Sequence, residues 1–385
     1  AALYFTGIFY HAMLGGSNFG DAITEARSKT FNKFRHTNTW GAYQCYGDPF
    51  FKLTEIKRSK TYTYSYLIAE EAENDLSNLI NRADSKGSST KYLLKDIAAI
   101  SAAVDAAGIR NAAITEKEAM AYDECNDDEN AIARFESLLG MEQAGFSVRA
   151  IEKYCNTRSK LYVRNWQSGI EKTRQLLNMD KVIADLKQLL NMSPTAERLG
   201  LLGSAYKRKA MISPTNADKI KALILSAGYY KKAFDMQDNT NTTYSLTNWL
   251  EIEKILQLVK NREGIRSIIK KYKFASLPAT KKAISDELKK MINEDADMDF
   301  WNEIGKANIL LCSWLLEGKN TKELTDNMVV DAYKKVWNIA GSQNKKIAEI
   351  EHFDFLVSLY SGLVKKPTTI KTMLKIKQDL EKVIE

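Results

Sequence analysis

The stretch SPTAERLGLLGSAYKRKAMISPTNADKIKALILSAGYYKKAFD, residues 193–235, reads as two amphipathic helices joined by a turn. Leu199, Leu202, Gly203 and Tyr206 fall at offsets 0, 3, 4 and 7, on one face of a 3.6-residue helix. Pro214 marks the break between the two. Beyond it, Ser226, Tyr230 and Ala233 fall at offsets 0, 4 and 7 of the second helix. Either helix alone has an ordinary apolar face. Two in succession, each carrying a small residue beside a tyrosine, form a unit.

That unit resembles a tetratricopeptide repeat. In such repeats small residues let the paired helices approach closely, and aromatics fill the gap between them. The resemblance therefore gives Leu199, Leu202, Gly203, Tyr206, Ser226, Tyr230 and Ala233 structural roles as a repeat signature. The loop between the helices reads as longer than the family's repeat of roughly 34 residues allows. Residues 130–154 match more weakly. Ala131 to Phe135 read as the second helix of one repeat, and Ala144-Gly145-Phe146 with Ala150-Ile151 open the next.

Outward from this unit, helical spacing runs from about Leu67 to the end of the chain. Breaks are expected near residues 85–89, 125–128, 191–194, 213–216, 237–241, 277–278, 318–320, 341–344 and 366–367. Helices of about 10–20 residues lie between them. Five prolines and 19 glycines in 385 residues favour helix over strand. The expected fold is therefore mainly α, an α-solenoid. Residues 67–244 would form the repeats, and residues 245–385 divergent repeats or a bundle. Trp249, Trp301, Trp314 and Trp337 read as core aromatics, and the apolar run 307–316 as a buried helix.

The start of the chain has a different texture. Phe5, Ile8, Phe9, Ala12 and Met13 give one helix, ended by Gly15-Gly16. Asn18 caps a second helix reaching about Lys33, with Ala22, Ile23 and Ala26 inward and Asp21 in its first turn. An aromatic-rich strand over residues 40–46 then runs into Gly47-Asp48-Pro49, with a short extension over 50–53. Gly47 permits a positive φ, Asp48 can bond back to the backbone, and Pro49 ends the ladder. Residues 54–66 read as a linker.

Phe9-Tyr10, Leu14-x-Gly16, Phe19-Gly20-x-Ala22, Ala26-Arg27 and Trp40 through Pro49 occur in order. Together they resemble the C-terminal end of a CHAT domain, a caspase-like cysteine peptidase fold, with Trp40, Gly47, Asp48 and Pro49 as structural motif residues. The resemblance implies a helix–helix–strand fragment of an α/β domain at residues 1–53. It also implies a His-Cys dyad at positions upstream of Ala1. No catalytic residue is thus expected in this chain, and His11 and Cys45 match neither dyad position. A CHAT tail followed by helical repeats also looks like bacterial CHAT proteins fused to repeat regions.

The remaining sequence narrows the function classes. There is no Walker loop, strand-following GxGxxG, HExxH or GxSxG. No cofactor or metal is expected. The acidic group Asp123, Glu124, Asp127, Asp128 and Glu129 lacks calcium-loop register and reads as an inter-helix loop, with Asp127 or Asp128 capping the next helix. Cys45, Cys125, Cys155 and Cys312 are far apart, which argues for a reducing cytoplasm and against a zinc site. His36 and His352 show no partner pattern. No apolar run approaches the roughly 18 residues of a membrane span. The net charge of +8 divides into −4 over residues 1–130 and +12 over 131–385. The basic residues interleave with acids at helical spacing, so nucleic acid is not the expected partner. The expected partner is a protein or peptide on the repeats, together with an upstream peptidase segment. The chain reads as the end of a CHAT peptidase with a recognition or regulatory module. The alternative is a non-catalytic repeat scaffold with a degenerate CHAT remnant.

Overall fold

The helical periodicity produces helices along nearly the whole chain. A computed structural model describes residues 1–44, 46–53, 64–84, 89–142, 145–236, 242–293, 300–339 and 343–384. Among them are eighteen α-helices, one π-helical turn and no strand. The chain divides into two compact units, Ala1–Tyr64 and Ser65–Glu385.

The first unit contains α1 (Ala2–Leu14), α2 (Phe19–Lys33) and α3 (Thr39–Ala42). Ala12 and Met13 of α1 pack against Ala22 of α2, with Phe9 and Phe19 alongside. Asn18 caps α2 by accepting from the Asp21 amide at 2.8 Å. The strand expected over residues 40–46 is not formed: residues 39–42 make a helical turn instead. Tyr43 is extended, but its carbonyl accepts from Arg27 Nη2 at 2.8 Å rather than from a neighbouring strand. Cys45 lies outside the described residues, as does most of the linker read at 54–66.

The Gly-Asp-Pro turn has a different task from ending a ladder. Asp48 Oδ1 accepts from the Phe50 amide at 2.9 Å, and Gly47 sits at φ +151°. The turn thereby aims two carbonyls at α2. Phe19 N donates to Phe51 O at 2.7 Å and Gly20 N to Pro49 O at 2.8 Å. These first-turn amides have no partner within their own helix. The extension at residues 50–53 reduces to an isolated antiparallel bridge between Asn18 and Lys52.

The second unit is a TPR-like solenoid. It begins with α4 (Ala69–Asp84), α5 (Thr90–Ala107), α6 (Ala112–Glu124), α7 (Asp128–Leu139), α8 (Val148–Gln167) and α9 (Lys172–Met192). It continues through α10 (Ala196–Ile212), α11 (Asn216–Asp235), α12 (Thr242–Val259), α13 (Arg266–Ile269), α14 (Leu277–Asn293) and α15 (Phe300–Glu317). Its last helices are α16 (Asp326–Ile339), α17 (Gln343–Leu359) and α18 (Pro367–Ile384). From α6 to α10 each helix packs on its successor and, in the row α4, α6, α8, α10, on its next-but-one neighbour. That double adjacency is the stacking of helix pairs.

Local chemistry sets the boundaries. The side chains of Asn111, Asp127, Ser147, Thr195 and Thr215 accept from the amide three residues on. Each satisfies a first-turn donor. Leu277-Pro278 is not a break: α14 starts there, and proline is tolerated in a first turn because its missing N–H is not needed. The break lies in residues 272–276. The loop between α10 and α11 is not long either. Residues 213–215 suffice, and the extra length sits in helices of 17 and 20 residues.

One apolar cluster runs from Cys155 to Leu380 and includes Trp314, Tyr333, Trp337 and Phe353. Each such side chain contributes about 1.5–3 kcal/mol on burial. Trp314 and Trp337 are buried and Trp249 is half-buried, while the Trp301 side chain lies outside the described residues. After α17 the chain passes through a π-helical turn, Tyr360–Val364, whose last two carbonyls accept from Arg262 of the loop after α12.

Candidate binding cavity

The helices of the second unit alternate in what they face. A cavity of about 1090 Å³ is lined by residues of α4, α6, α8, α10, α12, α15 and α17. The intervening α7, α9 and α11 contribute nothing to it. The cavity therefore occupies the inner face of the stacked pairs. On α8 the lining residues Lys153, Asn156, Lys160, Arg164 and Gln167 recur at helical spacing, and on α10 so do Gly200, Ser204, Lys207, Arg208 and Met211.

Lys207 stands at the centre. Its side chain is buried, its Nζ lies 2.8 Å from Asn248 Oδ1 on α12 and 3.2 Å from His352 Nδ1 on α17. The ammonium also sits 4.8 Å from the centroid of Phe355. The other imidazole nitrogen of His352 is 2.8 Å from Glu251 Oε2, itself buried on α12. A lysine, a histidine and a glutamate from three helices thus form one chain of polar contacts. Beside it, Arg208 Nη1 donates to Asn156 Oδ1, Ser159 Oγ and Ser204 Oγ, each at 2.9 Å.

These groups perturb one another. Burial holds Lys207 below the usual lysine range, and the Arg208 charge pushes the same way. Burial raises Glu349, against the pull of His352, Asn308 and Lys207. Tyr230 and Tyr244 lie hydroxyl to hydroxyl at 3.2 Å. Burial pushes Tyr230 well above the ordinary phenol value. Burial also acts upward on Tyr244, but the Lys207 charge and the bond with Tyr230 outweigh it and leave that hydroxyl lowered.

At the mouth, Lys153 Nζ donates to Asp123 Oδ2 at 2.8 Å and Glu124 Oε1 at 3.1 Å. Asn344 Nδ2 reaches the Asp123 carbonyl at 3.3 Å and Glu124 Oε2 at 3.4 Å, tying α17 to α6. Burial would raise Asp123, but Lys153, Lys160 and the bonds from Lys153 and Thr157 outweigh it, so its pKa is lowered. A carboxylate lowered on folding stabilises the fold above its unfolded pKa of about 3.9, and that contribution is lost as pH falls through the folded value. Urea unfolding of wild type and Asp123→Asn is therefore expected to differ by a constant amount above about pH 5. The two midpoints should converge below about pH 4. A gap that persists unchanged in acid would contradict the assignment.

The repeat-signature residues lie behind the cavity. Leu199, Leu202, Gly203, Tyr206, Ser226, Tyr230 and Ala233 are all buried. Ser226 Oγ donates to the Gly203 carbonyl at 2.6 Å, and Tyr206 stacks on Tyr229. The residues facing the cavity are interleaved with them on the same helix, and motif matching did not find those. Nor did it find His352, for which no partner was expected.

In the first unit, Trp40 is exposed and meets Phe31 edge to face at 5.3 Å. His11 and His36 are exposed. Burial raises the thiols of Cys125 and Cys155 to about 11 and that of Cys312 well above its ordinary value. Of the acidic group, Asp127 caps α7, and Asp128 meets Arg164. Among the described residues no three His, Cys, Asp or Glu side chains are grouped to hold a metal ion. Among the same residues, no helix is long and apolar enough to cross a membrane.

Residues 127–257 match a family described as Tetratricopeptide Repeats-Sensor. The match takes in α8 and α10, which supply much of the cavity wall, and nearly all of α12. No CHAT or caspase-like domain is detected. No curated protein matches the chain.

Proposed function

We propose that residues 65–385 form a recognition module that takes an acidic protein segment on the inner face of its helix pairs. TPR-like repeats point to protein interaction. The observation that carries the reading is the cavity lining, in which seven lysines and arginines face five carboxylates; Lys153 and Arg164 already meet Asp123 and Asp128, while among the described residues Arg149 and Lys160 meet no carboxylate within 4.0 Å. Such a wall attracts and orients an anionic segment. The word sensor in the matched family's description fits a module whose occupancy is relayed elsewhere.

What the module serves has two readings. In one, residues 1–53 end a CHAT peptidase whose activity the module controls; the order of the motif pieces from Phe9 to Pro49 supports it. In the other, the chain is a non-catalytic scaffold. The helical turn at Thr39–Ala42, where the peptidase reading expects a strand, favours the scaffold.

Fluorescence anisotropy with a panel of acidic, neutral and basic peptides tests the module. Acidic peptides should bind the full chain, more weakly at higher salt. The double variant Arg149→Glu, Lys160→Glu should lower their affinity by about tenfold or more. Acidic peptides that bind no better than basic ones, or binding indifferent to the reversal, would sink the proposal.

A further inference from the structure

We infer that the floor of the cavity, at Lys207 and Arg208, is a binding site for an organic phosphate. The first observation concerns how this unit treats its other enclosed cations. Arg110 and Arg134 share Glu118, Lys153 meets Asp123, Arg158 meets Asp185, and Arg198 meets Glu152. Lys207 and Arg208 are neighbours in sequence, and their hydrogen bonds go to no carboxylate: an asparagine and an imidazole for one, an asparagine and two serines for the other. Among the described residues neither meets a carboxylate within 4.0 Å. Two enclosed cations with no carboxylate in direct contact are costly, although Glu251 and Glu349 lie near enough to act on Lys207. An anion between them removes that cost.

The second observation is geometric. Serine and asparagine oxygens fix Arg208 through Nη1 alone. Among the described residues its Nε and Nη2 make no hydrogen bond, and the Lys207 ammonium, held by Asn248 and His352, adds a point charge. A planar fork beside a point charge matches a tetrahedral dianion better than a single carboxylate. The third is size. A cavity of about 1090 Å³ is far larger than a phosphate group, so the anion carries a body. Around the floor stand Tyr244, Asn308 and Glu349, polar side chains that line the space such a body would occupy.

The test uses the full chain in thermal-shift and calorimetric titrations with pyrophosphate, ribose 5-phosphate and ribose, at constant ionic strength set with sodium chloride. Pyrophosphate and ribose 5-phosphate should raise the melting temperature saturably and compete with each other, while ribose alone should not. Arg208→Gln and Lys207→Met should each weaken both phosphates by about tenfold or more. Lys160→Gln, at the rim, should change them by less. If Arg208→Gln lacks wild-type circular dichroism, Lys207→Met and the competition experiment decide. No saturable shift in wild type, or shifts that chloride reproduces, would overturn the site. Acidic-peptide binding would then stand or fall separately, since it is read from the rim reversal.

Discussion

Gly203→Val lowers the stability of the helical unit by about 3 kcal/mol, the upper end of overpacking costs. A Cβ at Gly203 would lie 2.9 Å from Cγ, Cδ1 and Cδ2 of Tyr230, closer than real Cβ atoms come. The ring has nowhere to go. It is fully buried, and its hydroxyl is 3.2 Å from that of Tyr244. The backbone is fixed as well, because Ser226 on α11 bonds the Gly203 carbonyl on α10. Relief requires the two helices to separate. Gly203→Ala should cost less, about 1–2 kcal/mol, because alanine regains about 1 kcal/mol of helix propensity. Urea unfolding followed by circular dichroism measures both. The decisive control is Gly203→Ala with Tyr230→Leu, which should be less destabilised than the sum of the two single changes. Strict additivity would mean that the contact is not the cause.

Glu118→Ala is expected to cost about 3 kcal/mol, the range for removing one member of a buried ion pair. The Glu118 side chain has no exposed surface. Its Oε2 lies 2.7 Å from Arg110 Nη1 and 3.1 Å from Arg134 Nε. Both arginines also reach Ser101, so one carboxylate joins α5, α6 and α7 with the loop that precedes α6. Alanine would leave Arg110 with Asp105 alone and Arg134 without its carboxylate. The two arginine side chains are 18% and 30% exposed, so water recovers part of the loss and keeps the cost below that of a dry interior. Glu118→Gln preserves shape and one acceptor and should fall between the two. Equal midpoints for wild type and the alanine variant would show that the arginines are satisfied without it.

Local signals were legible in the sequence, and long-range ones were not. Asn18 and Asp127 cap the helices that follow them because capping depends on three or four adjacent residues. Small residues beside tyrosines marked the α10–α11 pair because close approach of helices demands them. The expected strand over residues 40–46 failed for the opposite reason. An aromatic-rich run becomes a strand only if a sheet receives it, and among the described residues no strand pairs with this segment. The overlong loop was an error of bookkeeping between loop and helix, since periodicity locates a helix better than it locates its end. The cavity was invisible. Lys207 and His352 are 145 residues apart, and each is an unremarkable polar position on its own helix. Only the path of the stack brings them together.

The bond from Asn344 back to Asp123 and Glu124 bears on how the molecule responds to load. An open row of repeats is like a strip of tape: it can peel from either end, and a change at one unit fades within its neighbours. Here a helix late in the chain is fastened to one 220 residues earlier. The strip becomes a hoop. A hoop resists peeling better than an open strip, because drawing either of these helices away from its neighbours must also break that bond.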